Sequence, residues 1–127
     1  MATTGLGTAL RKLRERRTLS LRETGQLTGI DYAYIHRLET GQKNAPSNEL
    51  LGKLLKILKP SARDTEIVEW LVTFTEADPA LVDFVIDNPD IEIDVFTAAA
   101  GMRHRGTSRP DPATIISRVQ RAFNDLD

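Results

Sequence analysis

The feature that most limits this chain's fold is how often it tells a helix to stop. Ser20-Leu21-Arg22-Glu23 has the form of a capping box, in which the serine hydroxyl accepts from an amide three residues on and the glutamate reaches back to the serine amide. Gly29 supplies a stop, Asp31 a second cap, Gly41 a second stop, Ser47 a third cap and Pro60 a third stop. Helices cut this short are marginal in water by themselves, so each must lean on its neighbours. The pattern predicts an all-α protein built from short helices around a shared core.

Apolar spacing fills in the elements. Leu6, Leu10 and Leu13 recur at helical intervals among Arg and Lys, predicting an amphipathic basic helix over 6–17. The capping box opens a helix that runs to Thr28, and Asp31 opens another over 32–40. Ser47 caps "NELLGKLLKIL", and Ser61 opens a helix carrying Ile67, Trp70, Leu71 and Phe74. A boundary is expected near 76–78, dividing the chain into 1–76 and 77–127. Beyond it, "DPALVDFVIDN" and "DPATIISRVQRAFND" each start with Asp as cap and Pro in the first turn. Between them, Ile91, Ile93 and Val95 alternate as in a strand, while the stretch from about Asp90 would also suit a helix. Residues 103–110, "RHRGTSRP", contain no apolar side chain and predict an exposed linker; "TTGLGT" near the start predicts a flexible tail.

Charge is divided along the chain. Through residue 60, eleven Lys and Arg face five Asp and Glu, a net +6; beyond it six face thirteen, a net −7. A basic front half suggests a polyanionic partner. The absence of cysteine excludes disulfides and cysteine-ligated metal sites and suggests an intracellular protein. No apolar run approaches the ~20 residues of a membrane span and the start does not read as a signal peptide, so no membrane partner and a cytoplasmic location are expected. His36 and His104 are the only histidines, and neither an HExxH motif nor a nucleophile elbow is present. Asp83 and Asp87, one turn apart, read as a solvated edge. Catalysis, a cofactor and a metal are therefore not expected.

Two short helices joined at Gly29, the second carrying polar side chains on its outer face, describe a helix-turn-helix. The first helix of such a pair braces against the DNA backbone, and the second enters the ~12 Å major groove. From Leu10, Leu19, Ile30, Tyr34, Ile35, Leu38, Glu39, Gly41 and Pro46, the region 6–58 resembles the Cro/cI (XRE-type) repressor domain. The resemblance implies a five-helix, lambda-repressor-like DNA-binding domain with its recognition helix over 32–39. It also implies base contacts from Tyr32, Ala33, His36 and Arg37, and phosphate contacts from Ser20, Arg22, Thr40, Gln42, Lys43 and Asn44. Arg14 and Glu39 match a pair that ties the first helix to the third. Leu21 and Tyr32 stand where many members carry glutamine. Thr24-Gly25 replaces the usual apolar-Ala pair, which predicts a helix loosened by about 1 kcal/mol.

The second half carries its own expectation. In the stretch 79–88, Leu81, Phe84 and Val85 form one apolar stripe and Val82 and Ile86 another, more than one neighbour covers. Ile115, Val119, Ala122, Phe123 and Leu126 form a further stripe. A small helical dimerisation domain is expected, seamed by Leu81, Phe84, Val85, Ile115, Val119 and Phe123. "LVDFVIDNP" followed by "RGTSRP" resembles the DdrO-type DNA-damage repressors, which implies a linker cut at His104, Arg105 and Gly106 by a regulatory metalloprotease. The resulting reading is a homodimeric repressor of a palindromic double-stranded DNA operator. The alternative is an antitoxin-like protein-binding module that also binds its own promoter.

Overall fold

A computed structural model describes residues 3–43, 45–102 and 110–125, and every regular element among them is a helix. In chain order these are α1 (Gly5–Arg16), α2 (Leu21–Thr28), α3 (Tyr32–Glu39), α4 (Asn48–Leu58), α5 (Ala62–Thr73), α6 (Pro79–Asp87), α7 (Ile93–Ala100) and α8 (Pro112–Asp125). The caps fall where the sequence puts them. Ser20, Asp31, Ser47, Ser61 and Asp78 each accept from an amide of the helix they open. Gly29 stops α2 at φ 74°, in the left-handed region. The ambiguous alternation in the nineties is helical: Ile91, Val95, Phe96 and Ala99 are all buried, a spacing one face of a helix or turn can satisfy.

α1 is the hub. Leu6, Ala9, Leu10 and Leu13 are buried, and the helix packs on α3, α5 and most extensively on α6. Its first turn corrects the expectation of a flexible tail at "TTGLGT". Thr4 caps α1 by accepting from the Gly7 amide at 2.9 Å, and the Thr3 hydroxyl donates to the Glu39 carbonyl. A Cβ on Gly7 would lie 2.5 Å from the Glu39 carbonyl oxygen, and one on Gly5 2.5 Å from that of Ala77. The two glycines let α1 come close to the end of α3 and to the turn before α6.

The expected boundary at 76–78 coincides with the turn between α5 and α6, yet packing crosses it. The buried apolar residues from Leu6 to Val119 form one cluster. Arg63 on α5 donates from its terminal nitrogens to the carbonyls of Val85, Asn88 and Ile91, at 2.9, 3.1 and 2.8 Å. Arg16 donates to the Ile86 carbonyl at 3.0 Å and to Asp64 at 3.1 Å. Asp64, buried, also accepts from Arg63 at 2.8 Å. Two guanidiniums thus satisfy the carbonyls that end α6, and the one carboxylate between them offsets half of their charge. Asp83 and Asp87, expected as a solvated edge, both pair with the Lys12 ammonium of α1, Asp87 at 2.9 Å. Burial pulls the Lys12 pKa down, but the hydrogen bonds and charges of the two aspartates outweigh it and leave it raised.

The residues expected to seam a dimer lie largely inside the chain. Leu81, Val85, Ile115 and Val119 are buried, and Phe84 and Phe123 are partly buried against the same core. α6 finds neighbours on more than one side within the chain: α1 packs on it most extensively, and α8 packs on it as well. Trp70 joins the halves from α5, stacked on Phe74 with ring centres 4.5 Å apart and meeting Phe96 of α7 edge-on at 5.3 Å. The expected linker and cleavage positions His104, Arg105 and Gly106 lie outside the described residues, as does Leu126.

Candidate nucleic-acid interface

The α2–turn–α3 unit is built from local rules that leave one face free. The capping box is complete: Ser20 Oγ accepts from the Glu23 amide and Glu23 Oε1 accepts from the Ser20 amide, each at 3.0 Å. The Ser20 amide, and then its hydroxyl, holds the Glu23 carboxyl below the usual carboxylate range. After Gly29, Ile30 drops into the core and Asp31 caps α3, accepting from the Ala33 amide at 3.0 Å.

α3 is anchored through one narrow face. Ile35, Leu38 and Glu39 are buried, and Tyr34 packs partly against the core. Fully burying side chains such as Ile35 and Leu38 contributes about 1.5–3 kcal/mol each. Glu39 is the buried polar exception, and Arg14 answers it: Nε lies 2.7 Å from Oε2 and Nη2 2.9 Å from Oε1. Arg14 Nη1 also donates to the Leu19 carbonyl at 2.7 Å. This two-pronged pair fixes α3 and the entry to α2 against α1 in one contact. The matched Arg14–Glu39 tie is therefore present as a geometric fact.

Opposite this anchor lie the residues expected to meet bases. Tyr32 and His36 are exposed; Ala33 and Arg37 are half-buried. Arg37 Nε is buried and makes no hydrogen bond among the described residues. Of the expected phosphate set, Ser20, Arg22, Gln42 and Lys43 are exposed. Thr40 is half-buried, and its hydroxyl already donates back to the His36 carbonyl at 3.0 Å. The amides of Gln42 and Lys43 donate to the Arg37 carbonyl, at 2.9 and 3.1 Å, which wraps the chain around the end of α3. Asn44 lies outside the described residues. Leu21, at the start of α2, is partly buried against the core.

Two features escaped the sequence reading. Gly25 does not merely loosen α2. A Cβ there would lie 2.8 Å from the Ile30 carbonyl oxygen and 3.2 Å from Tyr32 Cβ, so glycine lets α2 and α3 approach closely. Only the departure from alanine signalled it. Gln26 lines the same surface groove as Arg22, Ile30, Asp31 and Tyr32. Its position one turn after Arg22, on the same side of α2, was the available clue.

No helix among the described residues is long and apolar enough to cross a membrane. No curated protein matches the chain. A family model described as a helix-turn-helix domain matches residues 6–83, from the first core leucine of α1 past the turn at 76–78 into α6. With its capped α2, left-handed Gly29 stop and outward-facing α3 inside that match, the chain belongs to the helix-turn-helix domain family.

Proposed function

We propose that this protein is a sequence-specific regulator of transcription, a repressor of the Cro/cI (XRE) type that binds a double-stranded DNA operator in the cytoplasm. One observation carries the reading. α3 is held from beneath by Ile35, Leu38 and the Arg14–Glu39 pair, while Tyr32 and His36 stand exposed and Ala33 and Arg37 sit beside them. A rigid helix with an unspent polar face is what a major groove accepts. Arg37 can fork onto guanine, His36 can donate or accept, and Ala33 can touch a thymine methyl. Lys43 and Gln42 at the end of α3 hold phosphates, within a front half of net charge +6.

A palindromic operator with half-sites ~10 bp, or a multiple of this, apart belongs to the proposal, with one chain on each half. Such pairing does not draw on Leu81, Val85, Ile115 or Val119, which their own chain already buries. Release by cutting near His104, Arg105 and Gly106, by a metalloprotease acting in a DNA-damage response, is the finer form suggested by the DdrO-type resemblance. What supports it is the place of these residues between α7 and α8: a cut there leaves α8, with Ile115, Ile116 and Val119, joined to the core only by packing. The alternative, an antitoxin-like protein-binding module, would take its protein partner on the acidic second half; what weighs for the DNA reading is that buried residues of α6, α7 and α8 belong to the same core as α1.

The test is selection of DNA from a random pool, followed by binding of two variants to the enriched sequence. Arg37→Ala should cost about 1–3 kcal/mol and relax preference at one base pair. Lys43→Ala should weaken all sequences alike and lower the salt slope by about one. A pool that yields no enriched sequence, or two variants that bind as wild type does, would overturn the reading.

A further inference from the structure

Tyr32 opens α3, where a base reader is expected, but its ring has another neighbour. The Arg22 guanidinium lies over it, 5.1 Å from the ring centre. That contact joins the first turn of α2 to the first turn of α3, across the groove that Gln26, Ile30 and Asp31 complete. Gly25 makes it possible: the space where a Cβ would sit is 3.2 Å from Tyr32 Cβ and 3.3 Å from its amide nitrogen, so the Tyr32 backbone lies directly against α2. Both side chains remain exposed, and Arg22 makes no ion pair shorter than 4 Å with a described carboxylate.

We infer that Tyr32 is a positioning residue: its ring holds the Arg22 guanidinium ready for a DNA phosphate, and it reads no base. The inference rests on the DNA-binding reading above and departs from the base contact that the Cro/cI resemblance implies for Tyr32. A free arginine on the surface samples many rotamers and loses that freedom when it grips a phosphate. A ring beneath it removes part of the cost in advance, because the planar cation is attracted to the face of the aromatic ring. The hydroxyl of Tyr32 has no part in this, whereas a tyrosine that read a base edge by a hydrogen bond would depend on it. One that read a thymine methyl with its ring would change base preference on loss of the ring.

The experiment uses the full chain and the operator obtained by selection, with binding measured across a series of salt concentrations. Tyr32→Phe keeps the ring and should bind as wild type does, with the same preferred sequence. Tyr32→Ala should weaken binding by about 2- to 5-fold, the size of an exposed cation–aromatic contact, and equally on every sequence. Arg22→Ala should lower the salt slope by about one. The double variant should be no weaker than Arg22→Ala alone, because the ring acts only through the arginine. Arg22→Lys, which keeps the charge and loses the plane, should bind more weakly than wild type while retaining its salt slope. A changed base preference in Tyr32→Phe or in Tyr32→Ala would make the tyrosine a reader and overturn the inference, as would losses that simply add in the double variant. Failure of the wild-type chain to enrich any sequence would instead strike the DNA-binding reading itself, so the two failures are distinct.

Discussion

α3 and α6 are helices of nearly equal length, eight and nine residues, put to opposite uses. α3 commits one narrow face to the core and leaves Tyr32 and His36 in solvent. α6 buries Leu81, Val82, Val85 and Ile86, which together make one broad face about 140° wide, and its final carbonyls are taken by Arg16 and Arg63. The surface that can meet a partner is thus concentrated in the first, and the stabilising area in the second. A short helix can afford exposed function only where another element supplies the apolar burial it withholds. Here that element is α1, buried against α3 on one side and α6 on the other.

The contrast can be broken most severely from the α6 side. Val85→Asp would place an unpaired charge at a fully buried site and should cost several kcal/mol, in the range of about 3–5. Because one core runs through both halves, the loss should appear as a single cooperative transition at lower temperature, followed by circular dichroism. A reading head that kept its original melting temperature while α6–α8 melted separately would show that the halves are independent.

A milder change tests the α3 side. Gly25→Ala adds a Cβ 2.8 Å from a backbone oxygen, which cannot swing away as a side-chain tip would. The expected cost is about 1–3 kcal/mol, against the usual gain of alanine over glycine within a helix. A thermal melt decides it: stabilisation would mean that α2 and α3 separate more easily than their packing implies.

The smallest effect concerns pH. The Glu23 carboxyl has a lowered pKa in the folded chain, so its contribution to the capping box is fully present above its unfolded value near 4.5. It is lost as pH falls through the lower folded value. Glu23→Gln should flatten that part of the stability curve measured between neutral and acid pH, while leaving the response of the rest of the molecule in place. An unchanged curve would mean that the reciprocal bond from the Ser20 amide contributes nothing in solution.

These residues also show what was legible in the sequence. Local signals survived into the fold: the Ser20–Glu23 box, the Gly29 stop and the Asp31 cap are decided by groups a few residues apart. The Arg14–Glu39 tie was legible through resemblance to a family. The roles of Gly7 and Gly25 were not, because a glycine looks permissive until the oxygen that would strike its Cβ is known. Nor was the fate of the second stripe on α6, since apolar residues do not say whether α8 or another chain will cover them. The pairing of Arg22 with Tyr32 depends on the angle between two helices, and no spacing along the chain encodes it.

The seating of α1 has a consequence in time. Its contacts reach far along the chain: Lys12 to Asp87 spans 75 residues, and Arg16 to Ile86 spans 70. During synthesis α1 emerges first and finds its last neighbours only when α6 has been added. Contacts of such long sequence separation slow folding relative to a bundle whose helices pack in order, because the loop must close before they reward it. α3 is complete early, yet it stands on a helix that waits. A ribosome that has made only the reading head has therefore not yet made its support, and a nascent chain stalled before residue 80 should grip DNA more weakly than the finished protein.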